Sequence, residues 1–136
     1  VKGILVAIDG SETSLRALRH AMTLGAPIHL VNVQPKADAP VLLLHRTPEE
    51  IKRHQRDYGA TRLDSAKHIL ETAAVPYQAH VCVGEPAEQI VQVCTEHDLG
   101  AIVMGTRGMT AIGNLVLGST ATKVIHLTRV PVALVK

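Results

Sequence analysis

The feature that most constrains this chain is the run Gly3-Ile4-Leu5-Val6-Ala7-Ile8, which is apolar at every position rather than at alternate ones. A strand with one wet face alternates; a continuous run suits a strand covered on both faces, the habit of parallel sheets flanked by helices. Asp9-Gly10-Ser11 ends the run, and Ser11 or Ser14 is placed to cap a helix. Leu15, Ala17, Leu18, Ala21 and Met22 then share one helical stripe with Arg16 and Arg19 opposite, and Gly25-Ala26-Pro27 stops it. The same alternation continues. Strands are expected over 28–33, 77–83, 101–104 and 131–135, with helices between them. Strand 77–83 alternates more than the others and belongs nearer an edge.

The helix opening at Pro48-Glu49-Glu50 reads as one long element. Ile51, Tyr58, Leu63, Ala66, Ile69, Leu70 and Ala73 would form its buried face, and Gly59 would loosen its middle. The next helix follows Gly84-Glu85-Pro86, and the last runs over 119–127 with Ala121, Val124 and Ile125 inward. Strand–helix repetition of this kind implies an α/β fold: an open five-stranded parallel sheet, right-handed crossovers and helices on both faces. In such sheets ligands bind beyond the carboxyl ends of the strands, where the strand order reverses.

Size and composition narrow the function. A chain of 136 residues fits one domain spanning 1–136, and 46% apolar residues argue against disorder. Two Tyr, with no Phe or Trp, cannot build a stacking platform for single-stranded nucleic acid. A net charge of +2 without a basic run predicts neither a nucleic-acid nor a membrane partner. The longest apolar runs are too short to span a bilayer, and the first ten residues lack the cleavage site of a secretory leader. Cys82 and Cys94 lie in apolar contexts and are expected as free, buried thiols in a reducing compartment, hence a cytoplasmic protein.

The residues with chemical promise cluster late in the chain. Gly105-Thr106-Arg107-Gly108, nine further residues and Gly118-Ser119-Thr120 join the end of a strand to the start of a helix. Glycines admit close backbone approach, and a helix start offers unpaired N–H groups and a positive dipole end, a combination suited to phosphate. Taken alone, the same residues serve equally well as turns and a helix cap. A P-loop is excluded because Ser119 stands where its lysine belongs. The short match of Gly105–Gly108 to a KH loop does not fit five β/α units. The eight histidines are scattered, and no His/Cys/Asp group shows metal-ligand spacing in sequence, so no protein metal site is expected.

The segment Gly105-x2-Gly108-x9-Gly118-Ser119 resembles the nucleotide-binding signature of the universal stress protein family. The opening strand and turn from Ile4 to Ser11, the strand Leu30-Val31-Asn32-Val33, Gly84-Glu85-Pro86 and the closing Val130-Pro131-Val132-Ala133-Leu134-Val135 resemble that family as well. The resemblance implies a Rossmann-like fold of the adenine nucleotide alpha hydrolase type. It also implies a site for ATP or a related adenine nucleotide, with Mg²⁺ or Mn²⁺. By position, Asp9 matches the acid that contacts ribose and Val33 the residue whose main chain reads the adenine edge. Gly105, Gly108, Gly118 and Ser119 match the phosphate cradle, with Thr120, Met104 and Arg107 alongside, and Ala7 and Ile8 as apolar wall. Gly100 departs from the pattern, standing where relatives often carry an acid. The resemblance further implies a stress-response sensor or regulator that forms a homodimer through strand 131–135. An interaction module with an idle glycine loop and a slow ATP hydrolase are the alternatives, because no catalytic base or nucleophile is identifiable.

Overall fold

The architecture comes from a computed structural model that describes residues 1–36, 47–107 and 117–136. Ten elements follow one another: β1 (Ile4–Ala7), α1 (Glu12–Met22), β2 (Ile28–Gln34), α2 (Pro48–Arg62), α3 (Asp64–Thr72), β3 (Tyr77–Val83), α4 (Pro86–Glu96), β4 (Ala101–Gly105), α5 (Ser119–Leu127) and β5 (Val132–Val135). All strand pairs are parallel, and the sheet runs β3-β2-β1-β4-β5. The chain therefore builds outward from β1 to one edge, returns to the centre and builds to the other edge. Its reversal point lies between β1 and β4. Strand 77–83 is at an edge, as its alternation predicts.

The continuous apolar run of β1 serves two layers. Ile4, Val6 and Ile8 join Ile28, Leu30 and Val103 against Leu15 and Leu18 of α1 and Leu70 of α3. Leu5 points the other way and joins Val31, Ile102 and Met104 against Ile90 and Val93 of α4 and Val124 of α5. Burying one such aliphatic side chain contributes roughly 1.5–3 kcal/mol, so an aliphatic core spread over both faces suffices without aromatic rings.

Three expectations change. The helix expected over 48–73 is two helices, broken at Leu63, whose N–H donates to the carbonyls of Ala60 and Thr61. Leu63 is fully buried, so the bend turns it, with Ala66 and Leu70, into the core while α2 lies over β2 and β3. Gly59 does not loosen α2. A Cβ there would stand 2.7 Å from Val81 Cγ1 and 2.8 Å from Asn32 Oδ1, so its missing side chain lets α2 press onto the sheet. The expected inward positions of Tyr58, Ala73 and Ile125 are also wrong: all three are exposed. Tyr58 carries a hydroxyl that prefers a wet edge, and the Arg62 guanidinium covers its ring at the surface. Cys82 and Cys94 are free thiols, half-buried and buried, and burial raises the pKa of both.

Candidate functional site

At the carboxyl ends of β1 and β4 the sheet opens into a cleft of about 310 Å³, at the lower end of the ~300–1,000 Å³ usual for ligand pockets. Its position follows from topology. Crossovers leave β1 and β4 in opposite directions, so nothing in the ladder bridges the gap above them.

One wall comes from β1 and the turn after it. Ala7 and Ile8 are apolar, and Asp9 follows half-buried at the mouth. Asp9 Oδ1 accepts the N–H of Ser11 at 2.9 Å, and Ser11 Oγ accepts the N–H of Ser14 at 3.2 Å. The amino terminus of α1 is thus closed by its own chain, while the carboxylate is fixed at the rim.

The floor is β2, which is longer than β1. The last bond from the β1 side is Ile8 N–H to the Val31 carbonyl at 2.9 Å. Main-chain groups alternate in direction along a strand, so Val33, two residues on, aims its N–H and carbonyl the same way, past the end of that ladder and into the cleft. Asn32 is buried between them, donating to the Ile8 carbonyl at 2.8 Å and accepting from Gln34 Nε2 at 2.9 Å. This side chain closes the ladder where β1 stops.

The far wall is β4 and the start of α5. Met104, Gly105, Thr106 and Arg107 lead out of the strand, and Gly118, Ser119 and Thr120 lead into the helix. Gly118 N–H donates to the Thr106 carbonyl at 2.7 Å, which draws the two segments together. A Cβ on Gly118 would lie 3.2 Å from that carbonyl, and one on Gly105 only 2.6 Å from Thr13 Cγ2 of α1. Both glycines are contact residues. Among the described residues no side chain caps α5, whereas Ser11, Thr47 and Glu85 cap α1, α2 and α4. The first N–H groups of α5 therefore face the cleft unoccupied by the helix's own cap. Lys123 of α5 pairs with Glu85 at 3.4 Å, tying α5 to the start of α4, whose first residue Pro86 lies at the cleft's edge. The backbone N–H of Glu88 is the main cause of a lowered Glu85 pKa, so that pairing partner stays ionised.

Of the residues expected at the site, Ala7, Asp9, Val33, Met104, Gly105, Arg107, Gly118, Ser119 and Thr120 all line this one cleft, and Gly108 lies outside the described residues. Ser14, Val31, Asn32, Pro86, Ile90 and Ala121 line the cleft as well, outside the expected set, and Thr106 joins it from within the glycine motif. Asn32 had a signal: a lone amide inside the apolar β2 run that needs a buried partner. Among the described lining residues, Asp9 is the one carboxylate and Arg107 the one cation.

A second cluster lies outside the sequence reading, which looked for metal-ligand spacing along the chain and expected no metal site. His29 of β2, His80 of β3 and His97 at the end of α4 bring one ring nitrogen each within 4.8 Å of one another. Sequence spacing could not show it, because His29 and His80 are 51 residues apart in the chain and meet only through the β2–β3 pairing.

The universal stress protein family model matches residues 1–136. A universal stress protein of Thermus aquaticus is 35% identical, the alignment covering 99% of this chain and 98% of that one. The solved structure of MJ0577 of Methanocaldococcus jannaschii superimposes with a TM-score of 0.85 at 27% identity, covering 99% of this chain and 95% of that one. Two further structures share the fold: a universal stress protein in complex with cAMP (TM-score 0.73, 21% identity, 99% and 97% covered) and one from Arabidopsis thaliana with AMP bound (TM-score 0.70, 17% identity, 100% and 92% covered). Matched from its first residue to its last, with the five parallel strands and the reversal point that its own apolar runs require, the chain belongs to the universal stress protein family.

Proposed function

We propose that the cleft binds ATP or a related adenine nucleotide and that the protein acts through this binding as a stress-response regulator in the cytoplasm. The observation that carries the reading is the pairing, across one cleft, of the Asp9 carboxylate with the uncapped amino terminus of α5. A carboxylate suits ribose hydroxyls; bare N–H groups at a helix start suit phosphate. The main chain of Val33 would read the adenine edge, with Ala7 and Ile8 as its apolar wall. Gly105, Gly108, Gly118, Ser119 and Thr120 would cradle the phosphates, with Met104 and Arg107 beside them. Nucleotide complexes of relatives with the same fold support this reading. With Asp9 the one carboxylate among the described lining residues, Mg²⁺ or Mn²⁺ would be held chiefly by the nucleotide's phosphates, as one carboxylate plus phosphates suffices for such ions.

The test is melting temperature against ATP concentration, since a ligand that prefers the folded state raises it by mass action. Gly118→Val fills the approach to the Thr106 carbonyl and should abolish the rise. A rise unchanged in the variant overturns the phosphate assignment. No rise in the natural protein, with no nucleotide released on denaturing it, favours an interaction module; released ADP or AMP would favour slow hydrolysis.

The same reading extends to a homodimer through β5. This strand is an edge with one neighbour, Leu134 is 37% exposed on it, and an uncovered apolar edge invites a second copy. Leu134→Glu should convert the dimer to monomer in analytical ultracentrifugation; an unchanged sedimentation coefficient removes this interface.

A further inference from the structure

The three histidines lie at the opposite end of the sheet from the cleft. His29 is the second residue of β2, and Val33 stands four residues further along, about 13 Å at ~3.3 Å per residue. His29 Nδ1 and His80 Nε2 are 3.0 Å apart with nearly parallel rings, their planes 8° from one another. The His97 ring centroid stands 4.5 Å from that of His80 and 5.3 Å from that of His29, tilted by 46° and 49°. From these positions we propose that His29, His80 and His97 form a binding site for a borderline divalent cation, zinc by preference.

The distances fit. Zinc–nitrogen bonds of ~2.0–2.1 Å at tetrahedral angles place ligand nitrogens ~3.3 Å apart. His29 and His80 are within a few tenths of an ångström of that separation, and a ring nitrogen of His97 lies within 4.8 Å of both. Imidazole nitrogen selects zinc and its first-row neighbours over magnesium or calcium, which take oxygen. The N–H now shared between His29 and His80 would move to the far nitrogen of its ring, so that both rings present lone pairs inward.

The backbone supports each ligand. β2 and β3 are joined by a full parallel ladder, with His29 opposite Gln78 and Val31 opposite His80, so the two histidines are diagonal neighbours on one face. His97 caps α4 in a Schellman turn: Leu99 N–H reaches the Cys94 carbonyl at 2.9 Å and Asp98 N–H the Thr95 carbonyl at 3.2 Å. The next residue is anchored too, Gly100 N–H donating to the Gly3 carbonyl at 2.8 Å. His29 is buried, His80 half-buried and His97 exposed, which leaves an entry path and a fourth position for water or the neighbouring Glu96. Nothing in this site depends on the nucleotide reading.

The experiment is zinc binding to the full chain after chelator treatment, by metal analysis after dialysis and by the rise in melting temperature. A parallel Co²⁺ titration reports geometry through the intense visible bands of tetrahedral coordination. The expected result is one zinc per chain and a tetrahedral Co²⁺ spectrum. His97→Ala, at an exposed position that leaves the core intact, should weaken zinc by more than about 100-fold, beyond the loss typical of merely supporting residues. His80→Gln should do the same, with circular dichroism confirming that each variant is folded. Failure of the natural protein to retain zinc, or equal retention by both folded variants, overturns the proposal; the latter would assign the metal to other surface histidines.

Discussion

The two ends of the sheet are built on opposite plans. At the carboxyl ends of the strands, where Ser11 and Glu85 cap α1 and α4, the cleft itself keeps backbone groups open: β2 outruns β1, no described side chain caps α5, and glycines allow segments to approach closely. At the amino ends, the turns are closed. α3 and α4 both finish in Schellman turns, with Ala74 (φ 56°) and Asp98 (φ 49°) forced into the left-handed region, and side chains rather than backbone supply the chemistry. Each end therefore suits a different kind of ligand. Anions with hydroxyls suit an end rich in N–H groups and one carboxylate; a borderline cation suits an end where imidazoles are held on rigid elements.

The largest effect should come from filling the open end. Gly105→Val would drive its side chain into Thr13, the Cβ alone standing 2.6 Å from Cγ2, and overpacking of this sort costs about 1–3 kcal/mol. Chemical denaturation should show that loss together with loss of the nucleotide response. Full stability would mean that α1 yields and the contact is not a constraint.

The closed end should show itself in pH. His29 and His80 have folded pKa values below the ordinary 6.5, chiefly through burial and then through His97, while Glu96 pulls His80 upward. Below about 6.5 the unfolded chain binds protons that the native state refuses. Their contribution is therefore fully present above about pH 6.5 and declines as pH falls toward the lower folded values. In chelated protein, urea midpoints should drop over that window, and His80→Gln should flatten the drop. An identical profile in the variant would separate acid sensitivity from this cluster.

The smallest effect tests whether the closed turns carry strain. Ala74→Gly removes a Cβ from a left-handed residue and should stabilise the protein by about 0.5–1 kcal/mol, read as a rise in melting temperature with the nucleotide response untouched. A destabilised variant would mean that the unfolded-state entropy of glycine outweighs the relief.

The parallel sheet was legible because β1 and β4 are apolar at successive positions, a pattern that only two-sided burial explains. Most of the cleft was legible because its far wall is contiguous in sequence, from Met104 to Arg107 and from Gly118 to Thr120, and its near wall directly follows a recognisable strand. The bend at Leu63 was not. A helical stripe specifies which residues face inward, but not that two helices share it at different angles. Tyr58 was misplaced for a related reason, since periodicity ignores the hydroxyl that keeps it at the surface.

Fold class, the alternation of strand and helix, the family and the glycine–hydroxyl wall are all written in local pattern and spacing. That Asn32 closes a ladder, that Gly59 seats a helix, and that His29, His80 and His97 converge became visible in three dimensions. These last depend on which strands pair and where a helix ends, and proximity set by a sheet leaves no trace in the spacing of the residues it brings together.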